Sequence, residues 1–549
     1  MPAGASTGEE NFMRRSKRTA VVAVLTAVGA VAIGALATGA TPFGGGLGLT
    51  DVPTANTRSV GYAPASKLSP ELAQIVVAQG ATKVENPTAQ VSYYGYDNDV
   101  VTASGDPQMV PTPAVSNEAH KTEPDKNTYL VFKRSLSGAD PNYWYGTHFL
   151  FQGHEAGTPG YLTRINLDAD AAHRVTLLAT ADATGAPLAT IDGSTWDPWA
   201  RRLLLTTENA AAPTYSATAG YPSVVEDVSG ALGRGGYEGI QNDDDGNVWI
   251  VEDIGGSSKP GTTARIPNSF VLRYVPRHLG DLTNGKLQVL QVLNGAGAPI
   301  TQASQTPLNS PDQLALHVYG SSFRTRWITI HDTATDGTTP FNANALAKAH
   351  DGTPFKRPEN GVFRPGSHFR DFYFDETGDT NATSPENADA GGWCSLFKLT
   401  QRDPSANEGR LSIFYRCDGV RAGFDNVTFL SRDSLGVVED AGDTLHGQRN
   451  ALDSGYALDV DLDYANPANK PLRWIAEGRD ASATIDSAFG GFGKNDGDNE
   501  LTGVFVSDGD PSVHGVLGEK KPNLWHGDWR WFYTQQHGDN PTYEVVPAG

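Results

Sequence analysis

Gly236-Tyr237-Glu238-Gly239-Ile240-Gln241-Asn242-Asp243-Asp244-Asp245-Gly246-Asn247-Val248-Trp249-Ile250-Val251-Glu252-Asp253-Ile254-Gly255-Gly256 decides how the rest of the chain is read. A short apolar run, Gly239–Gln241, meets a turn cluster from Asn242 to Gly246. The β-rich run Val248–Val251 follows and stops at Glu252-Asp253. This pattern spells a β-hairpin. Strands of a hairpin are antiparallel, so the residue entering the first and the residue leaving the second share one open end. Glu238 and Glu252 stand seven positions either side of Asp245, which puts both carboxylates on one rim.

The device recurs. Asp192 and Glu208 flank a turn at Asp197-Pro198-Trp199-Ala200, and Glu359 and Asp375 flank one at Pro365-Gly366-Ser367. Asp425 and Glu439 flank one at Ser431-Arg432-Asp433-Ser434. A looser copy runs from Glu500 to Gln535-Gln536-His537. Other β-type runs also end in polar or acidic groups, at Glu155, Asp332 and Glu477. The strand ends average about 54 residues apart, near the size of a four-stranded propeller blade with insertions. The expectation is an all-β chain folded as a β-propeller, because radial closure lets each blade bury its faces against its neighbours. A two-sheet sandwich does not explain a repeat of this length. The counted ends permit seven or eight blades.

The totals agree with such a chain. Its 549 residues include 61 Gly and 34 Pro, which favours short strands joined by turns. The formal charge is −21, and residues 1–40 are slightly basic, so the remainder is more acidic still. That field opposes nucleic acid and anionic membrane surfaces. It suits either an acidic protein kept soluble by its charge or an acidic cation-binding rim. The two cysteines, Cys394 and Cys417, lie in strand-like runs joined by a polar loop. Antiparallel pairing would bring the sulfurs together, and an exported protein permits a disulfide there.

Export is expected from the N-terminus. The basic patch Met13-Arg14-Arg15-Ser16-Lys17-Arg18 precedes an uncharged run from Thr19 to Ala40 with small-residue stops, a secretory signal pattern over residues 1–40. The Arg pair leaves the twin-arginine route open. An uncleaved anchor is the competing reading, which the weakly apolar Ala/Gly/Thr content disfavours. The expected product is secreted, periplasmic or cell-surface, with no stable membrane association after cleavage, and monomeric. Residues 41–90 read as a linker and a short helix, with Ser69 as N-cap, Pro70 at the first helical position and Gly80 as its stop. The propeller domain then covers residues 91–549.

In a propeller the inner ends of the blades face a common axis. Carboxylates converging there from Asp192, Glu208, Glu238, Glu252, Glu359, Asp375, Asp425, Glu439 and Glu500 raise one another's pKa and bind either protons or cations. Oxygen-only ligands suit hard ions, calcium first. His154, His331 and His537 are too scattered for a zinc site. Asp243-Asp244-Asp245-Gly246 lacks the alternate spacing and terminal Glu of an EF-hand and reads as a solvated turn.

In order and spacing, several short motifs resemble those of the PhoX-type alkaline phosphatases, secreted propellers that use calcium together with an iron pair. They include Leu232–Gly239 (LGRGGYEG), Val251–Asp253 (VED), Ser269–Pro276 (SFVLRYVP), Leu282–Leu290 (LTNGKLQVL) and Arg357–Glu359 (RPE). Phe424–Asn426 (FDN), Val438–Asp440 (VED), Glu500–Gly503 (ELTG) and Gln536–Gly538 (QHG) complete the series. The resemblance implies six blades, with Glu238 and Glu359 at metal-ligand positions and Arg357 at a phosphate-contacting one. The planar Arg fork pairs two oxygens of a phosphate monoester; an outer salt bridge to a carboxylate is the plainer reading. The family's Thr-Cys-Glu-Glu strand end reads Thr206-Thr207-Glu208-Asn209 here. A Thr hydroxyl cannot replace a thiolate ligand, so Thr207 leaves the iron pair unsupported while calcium survives.

Two functions stand in view. The first is a secreted, metal-dependent phosphatase acting on small phosphate monoesters or related esters, with Arg357, Glu238 and Glu359 at the reaction. Glu208, Glu238, Glu252, Glu359, Asp425, Glu439 and Glu500 would hold metal. The second is a calcium-stabilised propeller without catalysis, serving as a surface or ligand-binding module. A lactonase-like propeller with one calcium would need a simpler ligand set.

Overall fold

Runs of Val, Ile, Leu and aromatic residues, four to ten residues long and closed by turns, form almost all the regular structure, because such side chains fit a pleated, packed surface. The computed structural model describes residues 47–549, except 59–63, 81, 98–119, 261, 263, 307–309, 380–388, 479–499, 517 and 537–539. The signal segment expected at 1–40 and His537 lie outside the described residues.

Two short strands, β1 (Lys67–Leu68) and β2 (Leu72–Ala78), precede a small ribbon of β3 (Tyr96–Asp97) and β4 (His120–Lys121). A first antiparallel meander follows: β5 (Thr128–Val131), β6 (His148–Gly153), β7 (Leu162–Asn166) and β8 (Val175–Ala179). The second comprises β9 (Ser194–Asp197), β10 (Arg202–Leu205), β11 (Tyr215–Ala217) and β12 (Val225–Asp227). A nine-stranded sheet holds two more. These are β13 (Tyr237–Asn242), β14 (Val248–Glu252), β15 (Val271–Pro276) and β16 (Gly285–Leu293), then β18 (Gly361–Phe363), β19 (Asp371–Glu376), β20 (Ser395–Gln401) and β21 (Glu408–Arg416), joined edge to edge by β17 (Phe323–Asp332). β22 (Phe424–Phe429), β23 (Ser434–Glu439), β24 (Ser454–Asp459) and β25 (Leu472–Ala476) take β1 as a fifth strand. β26 (Glu500–Ser507), β27 (Arg530–Gln536) and β28 (Thr542–Pro547) take β2 as their fourth.

The arrangement is propeller-like. The first strands touch in chain order, β5 to β9, β13, β18, β22 and β26, and β26 returns to touch β5. Apolar layers fill the spaces between successive sheets. Phe149 and Leu203 share one layer, Leu204 and Ile250 the next, then Trp249 and Phe397, Leu396 and Val437, Trp474 and Trp531, and finally Phe532 and Leu150. Each sheet thus buries both faces, and removing a ring such as Trp249 would cost about 3–5 kcal/mol.

Three expectations change. The helix expected from Ser69 is the strand β2, paired from Leu72 against Pro547 to Ala78 against Thr542. Its β-branched run Ile75-Val76-Val77 and an open sheet edge outweigh a local cap signal. The upstream stretch expected as linker lies on the body, with Leu49 and Val52 buried and the Val52 amide donating to the Arg473 carbonyl at 2.8 Å. Asp243 is not a solvated turn residue: it is buried, and accepts from Asn247 Nδ2 at 2.7 Å and Trp249 Nε1 at 2.8 Å. Burial pushes its pKa up to about 6. Of the counted strand ends, Asp332 and Glu477 close the outer strands β17 and β25 and are not part of an inner hairpin.

Cys394 and Cys417 form a disulfide across β20 and β21, with Cα atoms 5.0 Å apart. Among the described residues, no helix is long and apolar enough to cross a membrane.

Candidate metal centre at the propeller axis

Each inner hairpin delivers polar residues to the axis by the same local geometry. On the first strand these are Asp125, Asp192, Glu238, Glu359, Asp425 and Thr502. A register shift follows this position in the hairpins of Glu238, Asp425 and Thr502, which lets one extra residue turn inward. The backbone enters some of these strands through a left-handed turn. Gly236 (φ +61°) and Gly423 (φ +63°) adopt it easily, whereas Glu123 (φ +48°) and Arg357 (φ +56°) occupy it with side chains attached.

The second strand of every hairpin ends in a pair of residues with opposite fates. The first of each pair is buried and turned sideways into its own sheet: His154, Thr207, Glu252, Glu376, Glu439 and Gln535. All six are tied there. His154 bonds Thr122 and Thr163, Thr207 Oγ1 donates to the Pro213 carbonyl, and Gln535 Nε2 donates to Glu477. Glu252 accepts from the Phe270 amide at 3.1 Å and Asn344 Nδ2 at 2.8 Å; Glu376 accepts from the Lys356 amide and faces His317 Nε2 at 2.9 Å. Glu439 lies 3.0 and 3.2 Å from the Arg449 guanidinium. The second of each pair, Glu155, Glu208, Asp253, Thr377, Asp440 or Gln536, reaches the axial cluster. Strand alternation separates the two sets.

Three groups of carboxylates result, each offering ligand atoms within 4.8 Å of one another: Asp125–Glu155–Asp192, Asp192–Glu208–Glu238 and Glu238–Asp253–Glu359. Asp192 and Glu238 are shared, so the groups form one continuous row. Burial raises the pKa of Glu155, Asp192, Glu208, Glu238 and Glu359, and their mutual charges add to it for most of the row. Asp192 Oδ1 is buried with no hydrogen-bond partner. Glu208 is exposed as a residue, although its carboxyl is desolvated among its neighbours. Gln536 Nε2 donates to Glu155 Oε1 at 2.7 Å.

Arg357 lies beside the third group, a fifth exposed, with Nη2 2.7 Å from Asp253 and 3.5 Å from Glu359. Burial opposes its charge, and Asp253 and Glu359 more than restore it. Asp425 stands on the far side of the axis, its carboxyl raised by burial and by Asp125. Asp440 is raised by burial, then by Glu500 and Asp425.

Of the residues named from sequence, Glu208, Glu238 and Glu359 are brought into the row and Arg357 flanks it, while Asp425 lies near Asp125 and Glu500 near Asp440. Glu252 and Glu439 are turned away from it, one residue out of phase with Asp253 and Asp440 in the two Val-Glu-Asp segments. Asp125 and Asp253 were not singled out. The signal that could have found Asp253 is the polar pair closing every second strand, whose members must face opposite ways.

An oxygen-only row of this kind fits a hard divalent cation: short-range donors, an unpartnered buried oxygen, and repulsion that a cation would relieve. Among the described residues it holds no thiolate or imidazole, and the Thr207 hydroxyl is committed to the Pro213 carbonyl.

No protein-family profile matches the chain, and no curated protein matches it. Among solved structures, the chain is similar to Pseudomonas fluorescens PhoX in complex with vanadate, a transition state analogue. The TM-score is 0.51 and the identity 10%, over 90% of this chain and 98% of that one. More distant likenesses include a gluconolactonase from Xanthomonas campestris, with a TM-score of 0.32 and 12% identity over 83% of this chain and 98% of that one. Another is the periplasmic gluconolactonase of Pseudomonas aeruginosa, with a TM-score of 0.29 and 13% identity over 85% and 98%. At these identities the likeness to PhoX establishes the propeller-like fold.

Proposed function

We propose that the chain is a metal-dependent hydrolase of phosphate monoesters or related esters, built as a six-bladed propeller around the axial carboxylates. The observation that carries this reading is Arg357. A guanidinium is held in a left-handed backbone conformation beside the Glu238–Asp253–Glu359 group, although two of the matching turns use glycine, at 236 and 423, and a third carries Glu123. Such strain, of order 1–2 kcal/mol, persists where a side chain is needed in that place. A cationic fork next to a cation-binding row is the combination that receives an anionic ester. The similar PhoX is seen in complex with vanadate, a transition state analogue.

Asp125, Glu155, Asp192, Glu208, Glu238, Asp253 and Glu359 would hold divalent cations, calcium first. A bound cation supplies charge neutralisation of phosphoryl oxygens and acidifies water. The chain's own residues do the rest. Arg357 binds and orients the ester oxygens, Asp253 fixes the guanidinium plane, and Gln536 aims Glu155. Glu208, open to solvent, exchanges protons with bulk water at its carboxylate. An iron pair is not part of this reading, because the row lacks a soft ligand.

The second reading is a calcium-stabilised propeller without catalysis; the full engagement of Arg357 by Asp253 and Glu359 favours it. Hydrolysis of an aryl phosphate by the purified chain, with calcium and with chelator, separates the two. The first reading expects calcium-dependent turnover that falls roughly 100-fold in Arg357→Ala, the effect of losing a charge-assisted clamp. Wild-type and variant proteins equally inert with every metal would leave the second. We also propose export and a small-molecule partner; the Cys394–Cys417 disulfide supports an oxidising compartment.

A further inference from the structure

Directly after its axis-facing residue, each inner strand carries one residue of a second layer: Lys126, Gly193, Gly239, Asn360, Asn426 and Gly503. The layer is tight. A Cβ at Gly193 would lie 2.1 Å from the Glu238 carbonyl oxygen, and one at Gly239 2.8 Å from Asn360 Cα. Into this space the chain threads a lysine. Lys126 is 1% exposed, and its Nζ reaches across the ring to Asn360 Oδ1 at 3.0 Å and Asn426 Oδ1 at 3.1 Å. Asn360 leads into β18 and Asn426 lies in β22, neither of which adjoins β5 in the ring.

The surroundings are those of a cation site. Burial lowers the pKa of the amine, and the charges of Asp125, Asp425, Asp375 and Asp192 act to raise it. Asp375 is fully buried; its Oδ1 accepts from the Asn360 amide at 2.7 Å, and its Oδ2 has no partner. Asn360 keeps its oxygen on Lys126 while its own Nδ2 has no partner. Two amide oxygens from separate segments therefore converge on one buried nitrogen, with buried carboxylates in the surroundings.

We propose that the Lys126 ammonium is the protein's built-in cation. It fills an oxygen site made by Asp125, Asp375, Asp425, Asn360 and Asn426, keeps a divalent ion out of that site, and so limits how many ions the axis holds. The inference rests on reading the neighbouring carboxylate row as a set of divalent-cation sites. An ammonium and a calcium ion compete for the same hard oxygens, and a tethered ammonium wins by proximity.

The test is calorimetric titration of the chelator-stripped full chain with calcium chloride, comparing wild type, Lys126→Asn and Lys126→Asn/Asp375→Asn. Lys126→Asn is expected to bind one more calcium per chain than wild type, and the double variant to return to the wild-type number. Wild type and Lys126→Asn binding the same non-zero number would overturn this inference and leave the row reading intact. Binding by Lys126→Asn alone would support the inference and remove the row reading; binding by neither would remove both. Near-UV circular dichroism covers misfolding. A Lys126→Asn chain that folds only with calcium supports the proposal. One that stays unfolded with calcium, with the double variant no better, shows that the lysine is needed for packing and overturns it.

Discussion

Two buried acidic clusters lie close together in this molecule and meet their charge in opposite ways. Glu439 and Asp453, both fully buried, are bridged by Arg449, with contacts of 3.0 Å to Glu439 and 2.8 Å to Asp453, and His446 stands 2.9 Å from Asp453. Asp192 and Glu238, also buried, lie among other carboxylates, with Arg357 beside Glu359 at one end of their row. A buried carboxylate left without a counter-ion must take a proton or a cation. The first cluster has its cation within the chain and is structural. Among the described residues the second has no bridging guanidinium over most of its length, which is why a bound cation is proposed there.

The largest effect should follow from making the first cluster resemble the second. Arg449→Ala leaves Glu439 and Asp453 buried without their cation, and a loss of about 3–5 kcal/mol in chemical denaturation is expected. Calcium should not restore it if the two clusters differ as described. The next effect runs the other way. With calcium a hundredfold above its dissociation constant, wild type should gain about 2.7 kcal/mol from the ion. Asp192→Asn should forfeit most of that gain, yet be more stable than wild type in chelator, because it removes repulsion.

The pH response sharpens the contrast. Glu155, Asp192, Glu238 and Glu359 have folded-state pKa values raised by burial and by one another. A raised carboxyl makes the folded chain bind more protons than the unfolded one, so its stabilising contribution is greatest in acid and is lost as pH rises. In chelator, stability should therefore fall from about pH 4, the ordinary carboxylate range, through the raised values. Calcium should flatten the fall. Denaturation midpoints at a series of pH values, with and without calcium, measure this. The smallest effect expected is at Glu123, an acid held at φ +48° next to the row. Glu123→Gly in chelator should stabilise by about 1 kcal/mol by relieving backbone strain.

Much of this was legible in the sequence. Turn chemistry and β-type runs marked the inner hairpins, and matched acids at their ends pointed to one axis. Glu208, Glu238 and Glu359 come together from segments far apart in the chain. What could not be read was phase. Whether Glu252 or Asp253 faces the axis depends on the register shift after Tyr237 and on the turn at Gly236, and neither leaves a mark in the residue pattern. The same one-residue step separates Glu439 from Asp440. The strand at Leu72–Ala78 was hidden for another reason: it forms only because the sheet of β26–β28 offers a free edge. Lys126 gave no local signal, since its partners lie 234 and 300 residues away.

On the proposed reading, the axial carboxylates need an external cation. The melting temperature of the purified chain, in calcium and in a strong chelator, tests this most directly. A clear fall in chelator, reversed by calcium and absent from Asp192→Asn/Glu238→Gln, is the predicted result. A melting temperature that ignores the chelator in the wild-type protein would contradict it.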